Sequence, residues 1–161
     1  MNKPVEHASF TIERHFDAAP DKVWRAWSDP AAKAAWFNGG ADVVEKVREM
    51  NFRVAGQDRL VGKWKSGMTS DFTNTYLDIV PNQRIIYTYW MRLDGKLISF
   101  SLATLEFAAK GNGTTLKITE QGAFVDGYED KGSREHGTKG LIDKLEAWLR
   151  DERDASTRSP H

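Results

Sequence analysis

A strand followed by two proline-started helices, all within Ser9–Phe37, constrains the fold of this chain more than any other stretch. In Ser9–Asp17, Phe10, Ile12 and Phe16 fall on one side and Thr11, Glu13 and His15 on the other, the two-residue period of a half-buried strand. Ala18-Ala19-Pro20-Asp21 opens a helix, with Pro20 in the first turn, where a missing N–H leaves no bond unmade. Val23, Trp24, Ala26 and Trp27 give that helix an apolar side, and Asp29-Pro30 caps and starts a second short helix running to Trp36-Phe37. A long run of strands and one amphipathic terminal helix follow. This order predicts an α+β architecture: a curved antiparallel sheet wrapped around a long C-terminal helix, braced by the two short helices and enclosing a pocket.

The strand run is punctuated by turn signals. Val43–Val54 breaks near Ala55-Gly56, and Arg59–Trp64 follows as a short strand. Asp71–Val80 ends at Pro81-Asn82, and Arg84–Arg92 returns from it. Asp94-Gly95 makes a hairpin into Lys96–Phe107, and Lys110-Gly111-Asn112-Gly113 another into Thr114–Glu120. Such short links join antiparallel neighbours. From about Ser133 to Arg153, Gly137, Leu141, Leu145, Trp148 and Leu149 recur at helical spacing, with Ile142 beside them. Gly137 and Gly140 each cost roughly 1 kcal/mol inside a helix, which suggests a close approach to a strand or room left for something else.

Bulk properties exclude several classes. A chain of 161 residues reads as one domain, with an ordered core over about 9–153 and loose polar tails at 1–8 and 154–161. Lys plus Arg equals Asp plus Glu at 23 each, with no basic run, which argues against nucleic-acid binding. The absence of cysteine removes thiol nucleophiles, disulfides and thiolate zinc sites. No signal-peptide core or membrane-spanning apolar run is visible, so no membrane insertion and a cytoplasmic location are expected. His7, His15, His136 and His161 lack metal-ligand spacing, and neither a metal nor a cofactor is expected.

The chain resembles the START-like superfamily, also called SRPBCC or the birch-pollen-allergen-like helix-grip fold, and within it the homologues of the heat-shock-protein ATPase activator (Aha-type) domain. The resemblance is carried by Ala19-Pro20-Asp21-Lys22-Val23-Trp24-Arg25-Ala26-Trp27 with Asp29-Pro30 and Trp36, and by Asn51-Phe52-Arg53-Val54-Ala55-Gly56. Tyr76-Leu77-Asp78-Ile79-Val80-Pro81, Arg84-Ile85-Ile86-Tyr87, Gly113-Thr114-Thr115-Leu116 and the Gly137…Leu141…Leu145 ladder complete it, so that it covers roughly Phe10 to Leu149. Two departures stand out. Asn51-x-Arg53-x-Ala55-Gly56 replaces the common Asp-x-Arg-x-Gly-Gly, and Gly137-Thr138 replaces Gly-Trp. The superfamily spans lipid carriers, hormone receptors, aromatic polyketide cyclases and co-chaperone domains, so the fold does not name the function.

Candidate chemistry lies in the aromatic surplus and in charges on apolar strand faces. Tyr and Trp offer an apolar face with one polar handle, which suits a pocket for a ring-bearing or acyl ligand. The expected pocket wall draws on Trp64, Tyr76, Tyr87, Tyr89, Phe100 and Glu120 from the strands, with Trp36, Arg53, Phe124 and, from the terminal helix, Leu141. Trp24 and Trp148 are read as core. Leu116, Ile118 and Glu120 share a side, so Glu120 turns inward near its strand's end; a solvated rim position is the favoured reading, and a general base the alternative if burial raises its pKa. Arg14 falls on the apolar side of its strand, where a structural ion pair is favoured over a ligand anchor. His136 stands near one mouth of the pocket, with a surface role the plainer reading. Phe124, Val125 and Tyr128 in the Gly122–Gly132 loop fit either a lid or a loop docked on the helix.

Three functions follow. The first is binding of a small hydrophobic or aromatic ligand in an internal pocket between sheet and C-terminal helix, without a defined reaction. The second is a polyketide cyclase- or dehydratase-like enzyme using Glu120, Tyr87 or His136 for proton transfer, which requires at least two of them to converge. The third is a co-chaperone-like interaction domain. As partners, a small hydrophobic molecule leads, and a homodimer and a chaperone stay open.

Overall fold

Asp29 joins the two proline-started helices by serving both. Its backbone N–H closes the last turn of α1 (Pro20–Ser28) on the Arg25 carbonyl at 3.0 Å. Its carboxylate accepts the Ala32 N–H at 2.9 Å, as the N-cap of α2 (Pro30–Trp36). Trp36 then donates its indole N–H to the Ala26 carbonyl at 2.9 Å and meets Trp27 edge-on at 4.7 Å, which locks the two helices into one brace.

The computed structural model describes residues 4–157. β1 (Glu6–Phe16), β2 (Val43–Glu49), β3 (Gln57–Trp64), β4 (Thr69–Val80), β5 (Arg84–Leu93), β6 (Lys96–Lys110) and β7 (Gly113–Phe124) form one antiparallel sheet. Its order is β1-β7-β6-β5-β4-β3-β2, so β2 to β7 run as a meander and β1 adds to the far edge beside β7. The sheet curves around α3 (Lys131–Thr157), which lies against β1, α1 and α2, as expected of a helix-grip fold. Register shifts at Glu45/Val47, Tyr76/Asp78 and Met91/Arg92 supply local bends.

Cross-strand register decides which side chains share the interior. Tyr76 stands opposite Tyr87, Asn74 opposite Tyr89, and Ile85 opposite Leu105. These, with Leu116 and Ile118 of β7, face Ile142 and Leu145 of α3. Each such aliphatic side chain contributes roughly 1.5–3 kcal/mol on burial.

Several element ends differ from the sequence expectation. β1 begins at Glu6, inside the stretch expected to be a loose tail, because β7 continues to Phe124 and offers it a partner. α3 continues to Thr157, while the rest of the expected tails, 1–3 and 158–161, lies outside the described residues. β2 stops at Glu49, short of Val54. Asn51–Gly56 forms a turn in which Gly56 donates to the Arg53 carbonyl at 2.8 Å and Ala55 takes a left-handed φ of 68°. A Cβ on Gly56 would stand 2.2 Å from the Asn51 carbonyl oxygen, so only glycine fits there. Gly137 and Gly140 permit no close approach to a strand: a Cβ at either would meet nothing within 4 Å.

Candidate functional site

Two clusters of ionisable side chains are buried in the interior, one at each end of the curved sheet. The first joins α2 to β3 and β4. Lys33 and Asp58 are each 6% exposed, and the Lys33 Nζ lies 3.4 Å from Asp58 Oδ2 and 3.4 Å from Tyr76 Oη. Tyr76 Oη donates to the same Asp58 oxygen, while Asp58 Oδ1 accepts the Asn51 N–H at 3.0 Å. The rings of Phe37, Trp27 and Tyr76 surround the Lys33 ammonium, with centroids at 4.9, 5.8 and 5.9 Å. Burial pulls Lys33 below the ordinary lysine value against the opposing pull of Asp58. Burial first, and Asp58 second, push the Tyr76 phenol well up, so it holds its proton.

This cluster opens on a recess of about 220 Å³ between α2 and strands β2 to β4. Lys33 and Asp58 line it with the apolar side chains of Phe37, Met50, Leu60 and Phe72 and with the charged Glu49 and Arg59. Arg48 is at its rim, held by Glu45 at 3.0 Å through Nε and by the Phe37 carbonyl at 2.7 Å. One strand over, on the face shared with Asp58, the fully buried Asn74 leaves both amide atoms without a hydrogen-bond partner.

The second cluster joins β5, β6 and β7 to the first turn of α3. Arg134 is buried and donates to Tyr89 Oη at 2.9 Å, Ser99 Oγ at 2.7 Å and Ser101 Oγ at 3.4 Å. It pairs with Glu120 at 3.9 Å and with Glu129 of the 125–130 loop. Tyr89 Oη in turn donates to Glu120 Oε1, and the Arg134 guanidinium covers the rings of Phe124 and Tyr89 at 5.2 and 5.5 Å. Burial pushes Glu120 up to about 7; Arg134 opposes that shift and Glu129 adds to it. Every cation and hydroxyl of this cluster has a protein partner.

The expected site residues separate into groups. Tyr76, Tyr87 and Tyr89 form an interior ladder, with ring centroids 6.1 and 6.0 Å apart, and Tyr76 alone touches the recess residues Lys33 and Asp58. Glu120 faces inward as its alternation predicts, but it is 5% exposed rather than a solvated rim residue, because Phe10 of β1 and Ala103 of β6 flank it on either side. Trp36 is locked in the helix brace, Leu141 packs half-buried against the core, and Phe124 lies buried beneath Arg134. Trp64 sits beside Gly39 with its indole N–H on Ser70 Oγ at 2.9 Å, away from the recess.

Three residues are corrected. Phe100 is 45% exposed on the outer face of the sheet, opposite Trp90, because the alternation of β6 puts Ser99 and Ser101 inside. Arg53 is exposed in the turn that ends β2, where strand alternation no longer applies. His136 is exposed on α3, so it does not converge with Glu120 and Tyr87. The 125–130 loop docks, with Val125 bonded to the Ile98 carbonyl at 3.0 Å and Glu129 on Arg134. Arg14 pairs with Asp143 at 2.9 Å and Glu146 at 3.1 Å of α3, a structural tie between sheet edge and helix.

Lys33, Asp58, Asn74 and Arg134 were not singled out from the sequence. Arg134 lies eight residues before Ile142 on the stripe that continues through Leu145 and Leu149, so extending that stripe backwards finds it. Asp58 shares strand parity with Leu60, and Lys33 stands three residues before Trp36 on the buried side of α2. Among the described residues, no group of three or more His, Asp or Glu is placed to hold a metal ion, and no helix is long and apolar enough to cross a membrane.

A curved sheet gripping a terminal helix over a charged interior defines a helix-grip protein of the START-like superfamily. The chain belongs to the family described as Activator of Hsp90 ATPase homolog 1-like protein, which matches residues 17–150. It is similar to a solved protein from Rhizobium leguminosarum at 41% identity and a TM-score of 0.88, over 92% of this chain and 97% of that one. It is also similar to Mll3558 from Rhizobium loti, at 37% identity and a TM-score of 0.83, over 91% of this chain and 99% of that one. The AHSA1-like protein from Aeromonas hydrophila shares the fold at 21% identity and a TM-score of 0.69, over 96% of this chain and 98% of that one. No functionally curated protein matches the sequence.

Proposed function

We propose that the protein binds a small aromatic or otherwise apolar molecule carrying one polar head, in the recess between α2 and strands β2 to β4. The observation that carries this reading is the buried Lys33–Asp58 pair beside a recess of about 220 Å³ that Phe37, Leu60 and Phe72 line together with charged groups. A buried ion pair is a poor source of stability compared with apolar side chains of equal volume, and its presence beside a cavity fits a binding role. Phe37, Leu60 and Phe72 take the apolar body, and Lys33, with Tyr76 behind it, takes the head. The site is at the α2 end of the sheet, whereas the sequence placed the pocket under the terminal helix. Ligand binding is preferred to a chaperone-directed role because it rests on side chains of this chain, and the other rests on the family's description.

Calorimetry and thermal shift against a panel of phenols, aromatic acids, aromatic aldehydes and short fatty acids test the reading. Saturable binding by at least one class, weakened by Phe72→Ala and unchanged by Phe100→Ala, is expected. Indifference to every class, or equal weakening by both substitutions, would overturn it.

A further inference from the structure

The recess holds a lysine in a setting that suits covalent chemistry. Lys33 Nζ is surrounded by three aromatic rings, and a carboxylate oxygen and a phenol oxygen each lie 3.4 Å from it. We propose that Lys33 is a nucleophile that forms an imine with a small aldehyde or ketone bound in this recess. The inference rests on the recess being a binding site and adds the class of ligand and the bond it makes.

The step balances without any redox partner. The Nζ lone pair attacks the carbonyl carbon, and the C=O π pair moves to oxygen, which takes a proton from Tyr76 Oη. Asp58 takes the first proton that Nζ loses and passes it to the carbinolamine hydroxyl, which departs as water; the second Nζ proton goes to the Tyr76 oxygen and restores the phenol. The C=N bond forms as the C–O bond breaks, so amine and carbonyl yield imine and water. Each residue is placed for its part. Tyr76 Oη and Asp58 Oδ2 each stand 3.4 Å from Nζ, Tyr76 is protonated, and the Asn51 N–H and the Tyr76 hydroxyl both donate to Asp58. The same burial lowers the lysine pKa and raises the fraction of free amine. The apolar wall of Phe37, Leu60 and Phe72 favours a carbonyl compound with a small apolar or aromatic body.

Reductive trapping tests the assignment. The intact protein is incubated with limiting benzaldehyde and cyanoborohydride near neutral pH, and the benzyl adduct is mapped by peptide mass spectrometry. Adduct concentrated at Lys33 is expected, at about tenfold or more over exposed lysines such as Lys117 and Lys139. Lys33→Arg, which keeps the charge but forms no stable imine, should abolish it while thermal melting shows the variant folded. Lys33→Met repeats the test with an apolar replacement. Adduct spread over exposed lysines and absent from Lys33, with benzaldehyde still binding by thermal shift, overturns the imine and leaves the binding site standing. Absence of both adduct and benzaldehyde binding overturns the imine, and the binding reading falls with it when phenols, aromatic acids and short fatty acids also fail to bind.

Discussion

The two buried clusters use the same ingredients and differ in how completely they are satisfied. Each has one cation, a carboxylate and a tyrosine. Around Arg134 the planar guanidinium reaches two carboxylates, a phenol and two serine hydroxyls, and its face covers Phe124 and Tyr89. Around Lys33 the ammonium, with three donors, finds two oxygens at the long distance of 3.4 Å and otherwise faces aromatic rings. Arg134 closes its end of the sheet, and Lys33 stays a reactive, under-coordinated group beside a recess. A buried charge with every partner in place acts as a fastener, and one short of partners at a cavity is a candidate for chemistry.

The largest effect should come from breaking the fastener. Arg134→Met leaves Glu120 and Glu129 facing each other without a cation and should cost about 3–5 kcal/mol in urea denaturation, with ligand binding retained under native conditions. A loss under 1 kcal/mol would mean that the cluster is a surface feature. Glu120 gives the next effect. Its folded pKa of about 7 lies above its ordinary value of 4.5, so the folded state holds the proton more tightly than the unfolded one. Its contribution is therefore full below about pH 4.5 and is lost as pH rises through about 7, by roughly 3 kcal/mol in all. Glu120→Gln should flatten that decline in a Tm-against-pH series; parallel profiles would show that Glu120 does not titrate there.

Lys33→Met should cost less, about 1–3 kcal/mol, because Asp58 keeps the Tyr76 hydroxyl and Asn51 N–H and the recess admits water. If Lys33→Met destabilises more than Arg134→Met, the contrast between fastener and reactive group is reversed. Ala55→Gly should stabilise by about 0.5–1 kcal/mol, since Ala55 holds a left-handed φ of 68° in the turn that leads to Asp58. Phe100→Ser, on the outer face, should change stability by no more than about 0.5 kcal/mol and leave binding intact, as a titration with any ligand found would show.

The legible part of this molecule was the part governed by local rules. Pro20, Asp29 and Pro30 start and cap their helices through contacts within a few residues. Asp94-Gly95 and the Lys110–Gly113 turn set antiparallel neighbours by chain length alone. Glu120 was legible in direction because Leu116 and Ile118 fix its parity, but its depth was not, since that depends on Phe10 and Ala103 arriving from other strands. Phe100 and Arg53 were misplaced for different reasons: Phe100 falls outside because the buried face of β6 carries the small polar Ser99 and Ser101, and a turn interrupts the alternation that would have directed Arg53.

The sequence by itself determined the order of elements, the family and the inward faces of strands with unbroken apolar alternation, because two-residue and 3.6-residue periods are properties of neighbouring residues. Only the tertiary structure decided that Lys33, Asp58 and Tyr76 meet, since α2, β3 and β4 are brought together by the curvature of the whole sheet. It also decided that Arg134 closes one end while the other keeps a recess. Charge pairing in the interior depends on distances of a few ångströms between elements far apart in the chain, and no local pattern encodes those distances.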